Sequence, residues 1–181
     1  TVSPPKKTSG KKLLRVAFPV AETGFDPVRI SDLYSNTVIE AIFGRLVTYD
    51  YLARPIKLVP MTIETMPTVQ EDGRSYTFHL KKGIYFNDDP AFKGKKRELV
   101  AEDYAYALKR FMDPQNRSVW QFLIEGKIVG LDEAAAEAKK TNRFDYDKKV
   151  EGLQALDRYT LQIKLKSTDY NFLNILAMPT F

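Results

Sequence analysis

The chemistry open to this chain is narrow from the outset. Its 181 residues include no Cys and a single His, His79, so a thiolate nucleophile, a redox disulfide, an iron–sulfur cluster and a Cys/His zinc site all lack ligands. The densest carboxylates are Asp88-Asp89, with Glu98 and Glu102 beyond the loop that follows. Paired carboxylates can serve as general acid and base or hold a divalent cation, but these are flanked by lysines and their spacing matches no cation-binding loop. His79 falls on the polar side of an alternating run with Lys81, with no carboxylate or nucleophile at readable spacing. Asp26, just before Pro27, suits a turn cap. No catalytic residue, metal or cofactor is assigned, and the reading is of a protein that is not an enzyme.

The formal charge of +5 hints at nucleic acid until it is located. Lys6, Lys7, Lys11 and Lys12 lie in a Pro/Ser/Gly-containing tail, and the second cluster, Lys93, Lys95, Lys96 and Arg97, has only Phe92 interleaved. That is not the basic, aromatic-studded surface of a nucleic-acid binder. Composition is globular, at 44% hydrophobic and 28% charged, and no run approaches the ~18 apolar residues of a membrane helix. The chain does not begin with Met, and residues 1–12 read as a disordered tail of the kind left after signal removal.

The elements that must carry any site follow from periodicity. Leu13 to Phe18 reads as a first strand stopped by Pro19; Ser31 reads as the N-cap of a helix running to Phe43, with Tyr34, Val38, Ile39 and Ile42 as its stripe. Leu46–Tyr49 is a short strand, and residues 50–60 cross the surface between prolines. Ser75–Lys81 alternates as a half-buried strand, with Gly83–Asn87 as its return. Ala101–Met112 is the clearest helix, with Glu102 and Asp103 in its first turn, Lys109 and Arg110 in its last, and Asp113-Pro114 as its stop. Asp132 caps an Ala-rich helix. Val150–Leu156 and Tyr159–Leu165 form a hairpin, and Asp169 caps a last helix.

Read in order, these residues resemble a known family. Tyr76-Thr77-Phe78-His79-Leu80 through Gly83 to Phe86-Asn87-Asp88, then Val100-Ala101-Glu102-Asp103-Tyr104 to Arg110, are similar to the signature of the extracellular solute-binding proteins, family 5, which serve peptide and nickel ABC importers. Phe25-Asp26-Pro27, Ile42-Phe43-Gly44-Arg45-Leu46 and Ala155-Leu156-Asp157-Arg158-Tyr159-Thr160-Leu161 resemble further family segments in the same order. Asp89 and the long loop from Pro90 to Glu98 depart from the pattern, and members are much longer chains than this one.

The resemblance implies a mixed α/β chain, the N-terminal part of a two-lobed periplasmic-binding-protein fold of type II-like design. Residues 13–45 would belong to a discontinuous first domain and 46–181 to an inserted second domain. It implies an exported, periplasmic substrate-capture component whose partners are a peptide or other small solute, an ABC permease and the remaining lobes of the same protein. Two site assignments come with it. Ser31, Asp32 and Leu33 would run beside the ligand as an extra strand, offering backbone amides that a helix start leaves unpaired; an ordinary N-cap explains Ser31 and Asp32 equally well. Trp120 stands where relatives place a Tyr toward the cleft; core packing with Phe122 and Leu123 is the other reading. The alternative function is an interaction module, or an incomplete domain without independent ligand binding.

The tail offers a direct check. With no apolar side chain beyond Val2 to dock, amides of residues 1–12 are expected to exchange at the rate of an unfolded peptide, and strong protection there would contradict this reading.

Overall fold

A computed structural model describes residues 12 and 14–181; the expected tail falls almost wholly outside them. The fold is mixed α/β. Its elements are α1 (Leu33–Ile42), β1 (Val47–Tyr49), β2 (Leu58–Pro60), β3 (Thr68–Val69), β4 (Ser75–His79), α2 (Ala101–Met112), α3 (Leu131–Thr141), β5 (Leu153–Ala155), β6 (Thr160–Lys164) and α4 (Phe172–Leu176).

The main sheet is antiparallel, in the order β3-β4-β6-β5. Period-two alternation in β4 and β6 decides its two faces. Phe78 lies opposite Leu161, and Tyr76 opposite Ile163; all four are buried on one face and share a core with Ala105, Leu108 and Phe111 of α2. His79 and Lys164 are exposed. Behind α2 lies α3, whose Ala134, Ala135 and Ala138 are buried in the same core and let the helices approach closely. Gly152 marks a second close approach: a Cβ there would sit 2.6 Å from the carbonyl oxygen of Lys164 and 2.6 Å from the amide of Val129. Substitution would push backbone from backbone.

The helix Ala101–Met112 has the expected bounds and charge placement, and β4, β5, β6, β1 and the turn at Asp26 form as the periodicity implies. Elsewhere the structure corrects the sequence. Residues 14–18 form no strand, since no described residue pairs with their backbone; Leu14 is 86% and Val16 72% exposed. α1 is capped by Asp32, not Ser31, because the Asp32 carboxylate accepts from the Ser35 amide at 2.8 Å. Residues 58–60, read as part of a surface crossing, form β2 against β1. The segment after Gly83 does not return along β4: Phe86 donates to Arg97 O at 2.9 Å and Leu99 to Ile84 O at 2.8 Å. Its partner is the far side of the long loop. α3 begins after Gly130, and Asp132, inside its first turn, instead accepts from the Gly126 amide and pairs with Lys166. α4 has Asn171 at its cap; the Asp169 carbonyl accepts from the Phe172 amide at 3.1 Å, while its carboxylate binds Lys127.

Core and surface should separate cleanly under mutation. Phe78→Ala is expected to cost about 3 to 5 kcal/mol and Gly152→Ala about 1 to 3 kcal/mol through forced overpacking, whereas His79→Ala stays within about 0.5 kcal/mol. Urea midpoints test all three, and equal midpoints for Phe78→Ala and His79→Ala would contradict the assigned faces.

Candidate functional site

The site is built on the chain leading into α1. Asp26-Pro27 starts a turn in which the Asp26 carbonyl accepts from Arg29 N at 2.9 Å and its carboxylate from Val28 N at 3.3 Å. Alternate side chains then go inward: Val28 and Ile30 are 2% and 4% exposed. Beyond Ile30 the chain runs along the surface, extended at the cap residue Asp32 and helical from Leu33. Ser31 is exposed, Asp32 has φ −81° and ψ 154°, and Leu33 is 72% exposed. Among the described residues nothing accepts from the amides of Ser31, Asp32 or Leu33. A segment ending at a helix start can leave its donors free in this way.

Local bonds hold the helix end of this segment. Asp32 accepts from Ser35 and from the Thr23 hydroxyl, while the Thr23 amide donates to Ser35 Oγ at 3.0 Å. The bonds from Ser35, then from Thr23, hold the Asp32 carboxyl well below the usual carboxylate range. The cap therefore remains an anion and an acceptor.

Distant contacts hold the other end. The indole Nε1 of Trp120 donates to the carbonyl of Ile30 at 2.7 Å. Arg110, in the last turn of α2, donates through both terminal nitrogens to the two Asp26 carboxylate oxygens, at 3.0 and 2.7 Å. Burial works against ionisation of Asp26, and the bonds and charge of Arg110 outweigh it, so the carboxyl titrates below its ordinary value. Arg29 reaches Asn116 Oδ1 at 3.3 Å, and the Asn116 amide group donates back to Arg110 O at 2.9 Å.

The structure thus places Trp120 at the base of the Ser31–Leu33 segment. Its ring is half-buried and packs against the core with Leu123, while Phe122 is exposed. An indole has one donor, and here Ile30 takes it. Sequence reasoning missed Arg110, Arg29 and Asn116. Arg110 stood out only as a cation at a helix C-terminus, and nothing local to any of the three reveals a partner in the Asp26 turn.

The other chemical candidates are engaged elsewhere. Glu98 accepts from the Gly83 amide at 2.8 Å, the Tyr159 hydroxyl at 2.9 Å and Arg158 at 3.0 Å. Asp89 caps the turn at Ala91, Asp88 faces Lys96, and Glu102 lies 3.9 Å from Lys109. Among the described residues no group of three or more His, Asp or Glu is arranged to hold a metal ion, and no helix is long and apolar enough to cross a membrane.

Comparison with known proteins agrees with the fold and its order of elements. Residues 57–181 match the family model described as bacterial extracellular solute-binding proteins, family 5 Middle. The Di/tripeptide-binding protein 1 of Pseudomonas aeruginosa (strain UCBPP-PA14) is 29% identical over 160 residues, which is 86% of this chain and 26% of the relative. The Dipeptide-binding protein of Escherichia coli (strain K12) is 32% identical over 165 residues, again 86% of this chain and 26% of the relative. Among solved structures, the periplasmic binding protein DppA from Helicobacter pylori, in complex with the peptide STSA, superposes with a TM-score of 0.64 at 26% identity, covering 88% of this chain and 28% of that one. OppA of Listeria monocytogenes bound to peptide gives 0.69 at 20% identity, covering 88% and 28%, a likeness of fold alone. The chain spans about a quarter of the length of the curated relatives it matches. With its signature segments carried on this fold, the chain belongs to the bacterial extracellular solute-binding proteins, family 5.

Proposed function

We propose that this chain is one part of the substrate-capture component of an ABC importer, working outside the cytoplasmic membrane and delivering a peptide-like solute to a permease. The observation that carries the reading is the surface segment Ser31–Leu33, extended at Asp32 and entering α1 at Leu33, with amide donors that no described residue uses. A peptide lying alongside would supply carbonyl oxygens to those donors and so add a strand by backbone pairing. The relatives named for di- and tripeptides support the solute class. Leu33 would lie against ligand side chains. Trp120, its N–H already committed to Ile30, has only its ring surface to offer a solute.

On this reading residues 13–45 belong to a discontinuous first domain and 46–181 to an inserted second one. Both sheets lie within 46–181, whereas residues 14–30 form no strand or helix. Leu14, Val16 and Val20, apolar and exposed, would meet the remaining lobes of the longer protein, which would also supply the opposite wall of the cleft.

That missing wall makes a quantitative test. A ligand held from one side cannot offset the translational and desolvation cost of association, so the 181-residue chain alone should bind di- to tetrapeptides at least ~100-fold more weakly than the full-length protein. Titration calorimetry on both, with circular dichroism confirming that the short chain is folded, decides this. Equal affinity, or no peptide binding by the full-length protein, would overturn the proposal.

A further inference from the structure

We infer that Arg110 is a positioning residue for the solute-facing segment, acting through Asp26 as a clamp across the fold; the inference rests on the proposed role of Ser31–Leu33.

The segment needs such a clamp. A surface stretch with free backbone donors has no ladder to hold it, and the main sheet and α2 that could steady it lie far along the chain. Between the Asp26 turn and the cap of α1 the described contacts fasten it at two levels. Val28 and Ile30 plug into buried positions, which sets depth but not register along the chain. Directional bonds must set register. Of these, Trp120 to Ile30 fixes one carbonyl. The Arg110–Asp26 fork, with two bonds from a planar guanidinium, fixes position and orientation together, as a single ammonium could not.

The clamp is itself braced. Asn116 donates to the Arg110 carbonyl and accepts from Arg29, whose Nε lies 3.8 Å from the Asp26 carboxylate. Arg110 also rides on α2, the helix that packs on the main sheet. Register at Asp26 therefore passes from the sheet through α2 to the residues that precede Ser31. Side chains of the pair are about one-quarter and one-third exposed, so neither is a buried charge whose loss must unfold the core. Arg110 need not touch the solute. Its effect is on where the Ser31–Leu33 donors stand.

The test uses the full-length protein with Arg110→Lys, Arg110→Met and the exchanged pair Asp26→Arg/Arg110→Asp, against a dipeptide and a tripeptide. Two readouts are taken on each: peptide Kd, and backbone N–H order parameters at residues 31–33 compared with β4 and β6 in the unliganded protein. Arg110→Met is expected to raise Kd about tenfold and to lower the order parameters at residues 31–33 from the rigid range, about 0.85, toward the flexible range, below about 0.6, while those of the strands stay rigid. Arg110→Lys should fall between it and wild type, and the exchanged pair should recover part of the loss. Unchanged order parameters at residues 31–33 in Arg110→Met, or an equal fall in the strands, would overturn the clamp. If wild-type protein binds no peptide, the proposed function fails, and the order parameters still decide whether Arg110 sets the segment.

Discussion

A backbone segment offered to a ligand must keep its own donors unpaired, and a segment with unpaired donors has no sheet to hold it straight. On the proposed reading, the chain leading into α1 is built as an answer to that conflict. The Asp26 turn aims the chain, Val28 and Ile30 sink into buried positions, and Trp120 takes the Ile30 carbonyl. Asp32 then closes the stretch by capping α1. What is left between the two anchors is short and lies on the surface. Trp120 and Arg110 come from far along the chain, so the segment's geometry depends on where α2 and the Trp120 turn pack.

Charge contributes in the same structural manner. Carboxylates that catch the eye in the sequence, Glu98 above all, turn out to be junctions: Glu98 ties Gly83, Arg158 and Tyr159 together and so pins the long loop to the β5–β6 turn. Its carboxyl is held below the ordinary value by the Gly83 amide first, then by Arg158 and Tyr159. Among the described residues buried side-chain polar atoms are partnered, Arg45 Nε and Thr180 Oγ1 excepted. Tyr104 and Thr62 share a hydrogen bond of 2.6 Å and reach the carbonyls of Gly44 and Arg45, fastening the end of α1 to α2. Arg45 in turn donates to Ala177 O at 3.0 Å, joining the start of β1 to the end of α4.

What could be seen in advance divides along sequence distance. The bounds of α2 were readable because everything that sets them is local: acidic residues at its start, basic ones at its end, and a Pro beyond. The faces of β4 and β6 were readable because alternation is a property of a few consecutive residues. Their pairing with each other, and the pairing of residues 84–86 with 97–99, belong to register between segments, which no single segment states. The choice of Asp32 over its neighbour Ser31 as cap rests on the Ser35 amide, three residues on, and the Thr23 hydroxyl, nine residues back, adds a second bond to the same carboxylate. Trp120 and the Ser31–Leu33 stretch entered as separate candidates, resting on a family resemblance. Their junction joins residues 90 apart in the chain, and the Arg110–Asp26 pair spans 84. The signal for either would have been a matched donor and acceptor with no local partner, which many surface residues also show.

The central claim is that the backbone of residues 31–33 is an edge along which a peptide lies. A crystal structure of the full-length protein with a bound tripeptide tests it most directly. The account predicts peptide carbonyl oxygens at ordinary hydrogen-bond distance, about 2.7 to 3.2 Å, from one or more of the Ser31, Asp32 and Leu33 amide nitrogens, with the Trp120 N–H still on Ile30. A peptide bound elsewhere, with those amides covered by the protein's own chain, would contradict it.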